Sequence, residues 1–168
     1  MEWLQPTPAG VTATKDSARA YLEKRDAKFG FPKGTSERLW QTESSSNFYP
    51  PISPKGAIGP LQLMPDTAKQ YGANPWDPSQ NFNAGTEYLS DLTKRYRGDL
   101  AEALAAYNWG PGNVDAAIRQ HGKDWLAYAP TETQNYVMKQ GGRANGVDVN
   151  IYNNTGGSAV VTASGLAH

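Results

Sequence analysis

The sequence predicts a mainly α-helical domain with a proline- and glycine-rich loop or small β element and a C-terminal β-hairpin tail. Capping residues recur before stretches whose apolar residues are spaced by three and four, as in amphipathic helices. Residues 49–65 hold five prolines and two glycines and cannot form regular helix. After Arg143, apolar residues alternate with polar ones. We therefore predict an arm or linker over residues 1–14, a helical domain over 15–142 and a β-hairpin or extended tail over 143–168.

Composition excludes several classes of function. A chain of 168 residues suits one domain with a real core. The chain has 16 Lys plus Arg and 16 Asp plus Glu, so its net charge is zero. It therefore has no overall positive electrostatic potential that would attract nucleic acid or an anionic membrane. The absence of cysteine rules out disulfides and thiolate zinc sites. No apolar run has the length of a membrane span, and no signal peptide is seen at the first residues.

The first predicted helix runs from about Ser17 to Phe29, with Asp16 or Ser17 as its cap and Gly30 as its stop. Thr35 is predicted to cap the second helix. The two helices are therefore expected to follow each other after a short connection.

The second predicted helix carries Glu43. Leu39 and Trp40 precede it by four and three residues, so all three share one face. That face is the buried one, and burial of an acid raises its pKa toward the range in which it can donate a proton near neutral pH. The alternative is a glutamate at the helix edge with its carboxylate in solvent.

The loop of residues 49–65 is expected to keep free backbone donors, which makes it a natural wall for a polar ligand. Pro65 then begins a short helix that ends at Gly72. Asp77 and Pro78 begin the clearest amphipathic helix of the chain. Gly98 is its predicted end.

Three further helices complete the predicted body. The first is capped by Asp99 and ends at Asn108, before a Gly-Pro-Gly break. The second is short and ends near His121, and the third is capped by Thr131 and closed by two glycines. Beyond Arg143, two strand-like stretches flank turn residues, which predicts a hairpin that packs on the body or pairs with a partner.

Four separated segments carry a family resemblance: Glu43-Ser44, Ser53-Pro54-Lys55-Gly56-Ala57-Ile58-Gly59-Pro60-Leu61-Gln62-Leu63-Met64-Pro65, Ala106-Tyr107-Asn108-Trp109-Gly110-Pro111-Gly112 and Glu132-Thr133-Gln134-Asn135-Tyr136-Val137. In order and spacing they resemble the motifs of the catalytic domain of soluble lytic transglycosylases, in the goose-type lysozyme-like superfamily. The resemblance implies a lysozyme-like helical fold.

It also implies an activity. The family cleaves the β-1,4 bond between N-acetylmuramic acid and N-acetylglucosamine in peptidoglycan and leaves a 1,6-anhydro end. Glu43 would act alone, first as the acid that protonates the leaving oxygen and then as the base toward the 6-hydroxyl, with help from the substrate's acetamido group. The resemblance implies no metal and no cofactor.

The remaining implied site residues line the glycan cleft or orient Glu43: Ser53, Gln62, Met64, Tyr107, Asn108 and Tyr136. Each has a structural alternative. Met64 and Tyr107 are typical core residues, and a glutamine in a proline-rich loop often bonds to local backbone. Asn108 precedes a sharp turn, and Tyr136 has the position of an ordinary half-buried tyrosine.

Two positions depart from the family pattern. Pro60 stands where the family usually has leucine, which removes a backbone donor, and Trp109 stands where it has alanine. No second catalytic carboxylate is evident, because Asp77 and Asp99 are explained as helix caps and Asp66 suits the first turn of a helix. We therefore favour a transglycosylase over a hydrolysing muramidase.

Hydrolysis of the same bond stays open, as does a structural or glycan-binding component with a vestigial site. By analogy with phage proteins that carry such domains, we expect a virion-associated enzyme of a bacteriophage that acts in the host periplasm or cell wall. A phage lysis enzyme and a domain of a bacterial secretion-system or tail protein are the alternatives. Its expected partners are peptidoglycan glycan strands and, through the tail, other virion or tail proteins. Neither nucleic acid nor a membrane span is expected.

Overall fold

The computed structural model describes residues 14–140 in full and, beyond them, only the backbone of 143–144, 147–152 and 160–165. Helices dominate this part of the chain, so the predicted mainly α-helical class is confirmed. The predicted arm falls on residues 1–13, which lie outside the described residues, and on Thr14.

Seven α-helices occur in the described residues: α1 (Lys15–Phe29), α2 (Thr35–Ser44), α3 (Pro65–Gln70), α4 (Pro78–Arg95), α5 (Leu100–Trp109), α6 (Pro111–His121) and α7 (Thr131–Lys139). A 3₁₀ helix, Gly122–Tyr128, joins α6 to the segment before α7. The strands β1 (Arg143–Ala144), β2 (Val147–Tyr152) and β3 (Val160–Gly165) are adjacent and antiparallel in that order. Residues 153–159 lie outside the described residues, so the predicted hairpin stays a prediction.

Contacts divide the chain into two compact units, residues 1–88 and residues 89–168. The first unit contains Glu43 and the second motif, and the second unit contains the third and fourth motifs. Each unit has its own set of buried apolar side chains.

The core of the first unit is built around Trp40. Its ring packs edge-on against Phe82 and at a tilt against Phe48, with ring centroids 5.1 Å apart in both pairs. Trp40, Leu39 and Leu22 are fully buried, and α1 packs against α2. Because such aromatic pairs add to the stability gained by burial, they fix the face of α2 on which Glu43 was predicted to lie.

The first helix begins earlier than predicted. It starts at Lys15, and the Thr14 hydroxyl accepts a hydrogen bond from the backbone N–H of Ser17 while the Ser17 hydroxyl bonds back to Thr14. This reciprocal arrangement satisfies two helix-end donors, so Thr14 is the better cap. The predicted stop at Gly30 is confirmed, since Gly30 has the left-handed φ of 71° that ends many helices.

The start of α2 differs from the prediction. Thr35 is the first residue of the helix and its hydroxyl donates to the Pro32 carbonyl, so the prediction that Thr35 is the cap is wrong. Asp26 on α1 takes that role, because its carboxylate accepts bonds from the N–H groups of Gly34 at 2.8 Å and Ser36 at 2.9 Å. A capping side chain from another helix joins α1 to α2.

The second unit is organised around α5, which packs against α6 and α7. Its buried face consists of small and branched side chains, Leu100, Ala103, Leu104, Ala105 and Ala106. Gly110, with φ 94° and ψ 140°, ends α5 and directly precedes α6. The predicted break at this glycine is therefore a sharp corner between two helices.

The start of α7 also differs from the prediction. Thr131 is its first helical residue, after Pro130, and makes no capping bond. The prediction that Thr131 caps α7 is therefore wrong by one position.

Candidate active site

Glu43 lies in the last turn of α2, one residue before the helix ends at Ser44. The two residues that share its face, Leu39 and Trp40, are fully buried, whereas Glu43 is half-buried. Its carboxylate therefore lies at the boundary between an apolar core and solvent. The raised pKa expected for Glu43 stays a prediction.

The turn after Glu43 is fixed by hydrogen bonds to a single carbonyl. The backbone oxygen of Asn47 accepts from the indole N–H of Trp40 at 2.9 Å and from the Ser44 hydroxyl at 3.1 Å. Ser45 and Ser46 both have positive φ, at 54° and 56°, which is unusual for serine. A strained turn held by the indole N–H of buried Trp40 and by the Ser44 hydroxyl gives the end of α2 a defined geometry.

Ser53 closes the first turn of the second-motif loop. Its hydroxyl oxygen accepts from the Ala57 N–H at 2.9 Å, and its own N–H donates to the Ala57 carbonyl at 3.0 Å. The Ser53 carbonyl accepts from Gly56 at 2.8 Å. Ser53 therefore has a structural role in the loop, and its hydroxyl hydrogen is available to donate.

Gln62 occupies the tip of a tight turn. Ile58 and Leu63 exchange backbone hydrogen bonds of 2.9 Å, and between them Gln62 has φ 51°. The backbone N–H and the side-chain Nε2 of Gln62 both donate to the Gly59 carbonyl at 2.9 Å. The local bonding considered for Gln62 is thus present, and it leaves the side-chain oxygen as an acceptor.

Asn81 on α4 holds this turn from behind. The side chain is fully buried, its Oδ1 accepts from the Leu61 N–H at 2.8 Å, and its Nδ2 donates to the carbonyls of Ile58 at 2.8 Å and Pro75 at 3.0 Å. The sequence analysis did not identify Asn81. A sign was present, because Asn81 precedes the fully buried Leu89 by eight residues, a spacing that places both on one face of α4.

The outer part of the second motif is exposed. Met64 has 44% of its surface exposed, which rules out the core role considered for it. Tyr49 and Ile52, earlier in the same loop, are also exposed. Exposed apolar and aromatic side chains close to a polar turn suit contact with the faces of sugar rings.

In the second unit, the third and fourth motifs meet. The Asn108 side-chain oxygen accepts a bond of 2.9 Å from the hydroxyl of Thr133, and its amide nitrogen lies 3.4 Å from a carboxylate oxygen of Glu132. Thr133 is buried, whereas Asn108 is half-buried. Asn108 therefore joins the end of α5 to the start of α7.

The two tyrosines of these motifs differ in exposure. Tyr136 on α7 is buried, with 7% of its surface exposed, so it is more deeply buried than an ordinary half-exposed tyrosine. Tyr107 and Trp109, near the end of α5, are half-buried. Tyr107 is therefore not a core residue, and part of its surface faces solvent.

Within the residues that the structure describes, no group of three or more His, Asp or Glu side chains could hold a metal ion. In the same residues, no helix is long and apolar enough to cross a membrane. His121 ends α6 as predicted and stacks on Tyr128, with ring centroids 3.5 Å apart.

Comparison with known proteins gives a consistent set of relatives. The chain is 36% identical over 131 residues to a transglycosylase of Enterobacteria phage PRD1. The alignment covers 76% of this chain and 41% of the relative. It is 32% identical over 116 residues to the membrane-bound lytic murein transglycosylase F of Pseudomonas fluorescens, covering 65% and 22% of the two chains. The chain thus spans less than half the length of these relatives.

The fold has a counterpart among solved structures. The lytic transglycosylase Slt of Pseudomonas aeruginosa, solved as an inactive glutamate-to-glutamine mutant, superposes with a TM-score of 0.63 at 28% identity. The match covers 73% of this chain and 22% of that one. Residues 20–126 match the model of the transglycosylase SLT domain. The chain belongs to the transglycosylase SLT domain family.

Proposed function

We propose that this chain is a peptidoglycan lytic transglycosylase with Glu43 as its single acid and base. The observation that carries the proposal is the position of Glu43 in a member of this family. It is half-buried in the last turn of α2, over fully buried Leu39 and Trp40 and before a turn fixed by Asn47.

The first step is protonation of the leaving group. Partial burial favours the protonated form of the Glu43 carboxyl, which donates its proton to the glycosidic oxygen between the two sugars. As the bond breaks, positive charge develops at the anomeric carbon of the muramoyl unit. The acetamido group of that sugar stabilises the charge, so a second protein carboxylate is not needed.

The second step returns the proton. Glu43, now ionised, removes the proton from the 6-hydroxyl of the same muramoyl unit, and that oxygen attacks the anomeric carbon. The product is a 1,6-anhydro end, and no water is consumed. Glu43 can perform both steps because it protonates the glycosidic oxygen first and removes the proton from the 6-hydroxyl afterwards.

The other predicted site residues would bind the glycan. The side-chain oxygen of Gln62 and the hydroxyl of Ser53 offer an acceptor and a donor on the second-motif loop, and exposed Met64 offers an apolar surface. The strained φ of Gln62 supports a functional role, since residues held in sparsely populated conformations cluster at active sites. Half-buried Tyr107 and Asn108 would supply further hydrogen bonds.

Buried Tyr136 has a different proposed role. With little exposed surface, it would support Asn108 and Tyr107 from α7 rather than contact the sugar itself. It is therefore a positioning residue in this proposal.

One relative supports the proposed chemistry and another supports the proposed location. Substitution of one glutamate by glutamine accompanies inactivity in the Pseudomonas aeruginosa enzyme, so a single carboxylate is decisive there. The phage PRD1 relative supports carriage of the present domain by a virion, from which it would act on the wall of the host. Detection of the chain in purified phage particles would test that location.

The catalytic assignment is tested with Glu43→Gln. This change keeps the size of the side chain and removes its acid, so we expect normal folding and an activity on purified peptidoglycan lower by about two to four orders of magnitude. Activity is measured as loss of turbidity, and folding by circular dichroism.

The matched control is Glu87→Gln, because Glu87 is an exposed glutamate on α4 in the same unit. We expect it to retain the parent rate. If Glu43→Gln clears peptidoglycan at the parent rate, Glu43 is not the catalytic acid. If the parent chain binds peptidoglycan without cleaving it, the structural or glycan-binding alternative is correct instead.

A further inference from the structure

The second unit contains an open pocket of about 420 Å³ that the proposed chemistry does not use. Its charged and polar lining comes from the end of α4, the turn after it, the first turn of α5 and the middle of α6: Arg95, Tyr96, Arg97, Glu102, Asp115 and Arg119. The volume is in the range of pockets that hold small ligands.

One wall of the pocket is fixed. The two oxygens of the Asp115 carboxylate accept from the guanidinium of Arg95 at 2.5 Å and from the hydroxyl of Tyr96 at 2.9 Å. The bond from Arg95 holds the pKa of Asp115 below its usual range, and the bond from Tyr96 acts in the same direction. Asp115 and Arg95 neutralise each other and leave little charge for a ligand.

Two cations at the pocket lack such a partner. Within residues 14–140, the guanidinium groups of Arg97 and Arg119 take part in no hydrogen bond or ion pair, and both side chains are exposed. Arg97 has a left-handed φ of 55° in the turn between α4 and α5. Guanidinium groups bind carboxylates through paired hydrogen bonds, so these two offer a site for an anionic group.

Glu102 supplies the opposite charge. Burial raises the pKa of its carboxyl to about 7, repulsion from Asp99 and Asp115 acts in the same direction, and the attraction of Arg97 does not offset them. Glu102 is therefore partly protonated near neutral pH, and a cation supplied by a ligand would stabilise its ionised form. An ammonium group of a ligand would provide that cation and favour the ionised form of Glu102.

Simpler ligands fit less well. A phosphate or another group with only negative charge would meet the carboxylate of Glu102. A metal ion would need a group of three acidic or imidazole ligands, which the described residues do not provide. A ligand with charges of both signs matches both parts of the lining.

We propose that this pocket binds a zwitterionic group, with its carboxylate at Arg97 and Arg119 and its ammonium at Glu102. The chemical class is an amino acid or the end of a peptide. The site shares no residue with the proposed catalytic machinery, so it stands even if the proposed catalytic assignment fails.

The probe is glycylglycine, titrated into the isotope-labelled whole chain and followed by the amide NMR signals of residues 97–102 and 115–119. We expect saturable shifts there, and about tenfold weaker binding for N-acetylglycylglycine and for glycylglycinamide, since each lacks one charge-assisted interaction. A parallel titration with glycine shows whether the pocket binds a free amino acid or the end of a peptide more tightly.

Variants locate the two charges. Glu102→Gln and Arg119→Gln are each expected to weaken glycylglycine binding by about tenfold. Glu87→Gln and Arg19→Gln, on exposed residues of the first unit, serve as matched controls and should bind as the parent does. Because the readout is binding, a variant with unchanged wall-cleaving activity still tests the site.

The pH dependence of glycylglycine binding is a third test. As the pH rises from about 6 to 7.5, Glu102 ionises and binding of glycylglycine should strengthen, whereas Glu102→Gln should remove this dependence. The other charged groups that act on Glu102 are Arg97, Asp99 and Asp115. The hydrogen bond between Arg95 and Asp115 raises the pKa of Arg95 and lowers the pKa of Asp115, so this pair does not contribute to the change. Equal binding of the N-acetylated peptide, or no saturable shift at these residues, would overturn the proposal.

Discussion

The side chain of Asn81 determines the path of the second-motif loop. Its amide makes three hydrogen bonds to the backbone of this loop and of the segment before α4, and it is inaccessible to solvent. Loss of this buried amide would cost more than the sum of single bonds, because the backbone groups that it binds would be left unpaired.

Gly59 provides the first test of this arrangement. A Cβ added there would lie 2.2 Å from the Asn81 nitrogen and 2.6 Å from the Pro75 carbonyl, and Gly59 has φ 79°. Gly59→Ala combines backbone strain with a clash in a packed core, so we predict a loss of about 3 kcal/mol in the free energy of unfolding. Urea denaturation measures it.

Gly56→Ala is the matched control. Gly56 also has a positive φ, of 91°, but nothing lies within 4 Å of an added Cβ. Only the backbone strain remains, so the expected loss is about 1 kcal/mol. Equal losses for the two variants would contradict the role given to Asn81.

Glu102 provides a test by pH. Its pKa is about 7 in the folded protein, against an ordinary value of 4.5, so the folded state holds the proton more tightly than the unfolded chain. The resulting stabilisation is complete below pH 4.5 and is lost as the pH rises to about 7. Glu102→Gln should therefore be more stable than the parent at pH 8, by about 1 kcal/mol after allowing for solvent screening.

Thermal unfolding of both proteins at pH 4 and pH 8 measures this difference. At about pH 4, where Glu102 is protonated in both states, the two proteins should have nearly equal stability. A variant less stable than the parent at pH 8 would show that ionised Glu102 is favourably paired.

At the level of helices, the two caps Asp77 and Asp99 were predicted correctly, whereas the caps of α1, α2 and α7 were not. Asp77 and Asp99 were recognised as caps, and both accept the expected backbone bonds. The cap of α2 comes from Asp26, eight and ten residues before the N–H groups that it binds. No short pattern reports such a contact, since it depends on how α1 packs against α2.

The same distinction applies to the candidate site. The segments that carry Glu43, Gln62 and Asn108 could be identified from their motifs. The contact between the third and fourth motifs could not, because sequence order does not state which helix ends meet. The bond from Thr133 to Asn108 supplies that information.

A double-mutant cycle tests this contact between α5 and α7. We predict that Asn108→Ala and Thr133→Val each destabilise the protein, and that the double variant loses less than the sum, with a coupling of about 1 kcal/mol. Urea denaturation of the four proteins gives the coupling. Strict additivity would mean that the bond contributes nothing to holding the two helices together.

For the whole molecule, membership of the SLT family rests on residues 20–126, which span the division at residue 88. The first unit holds the proposed acid and its supporting loop, and the second holds the Asn108 contact and the charged pocket. The chain spans less than half the length of its transglycosylase relatives.

The most direct test of the proposed chemistry is mass spectrometry of the muropeptides that the purified chain releases from peptidoglycan. Ring closure predicts 1,6-anhydro ends, which are lighter than reducing ends by one water, and their absence in the Glu43→Gln digest. Reducing ends as the sole products would establish hydrolysis and contradict the assignment of Glu43 as an acid that takes its proton back.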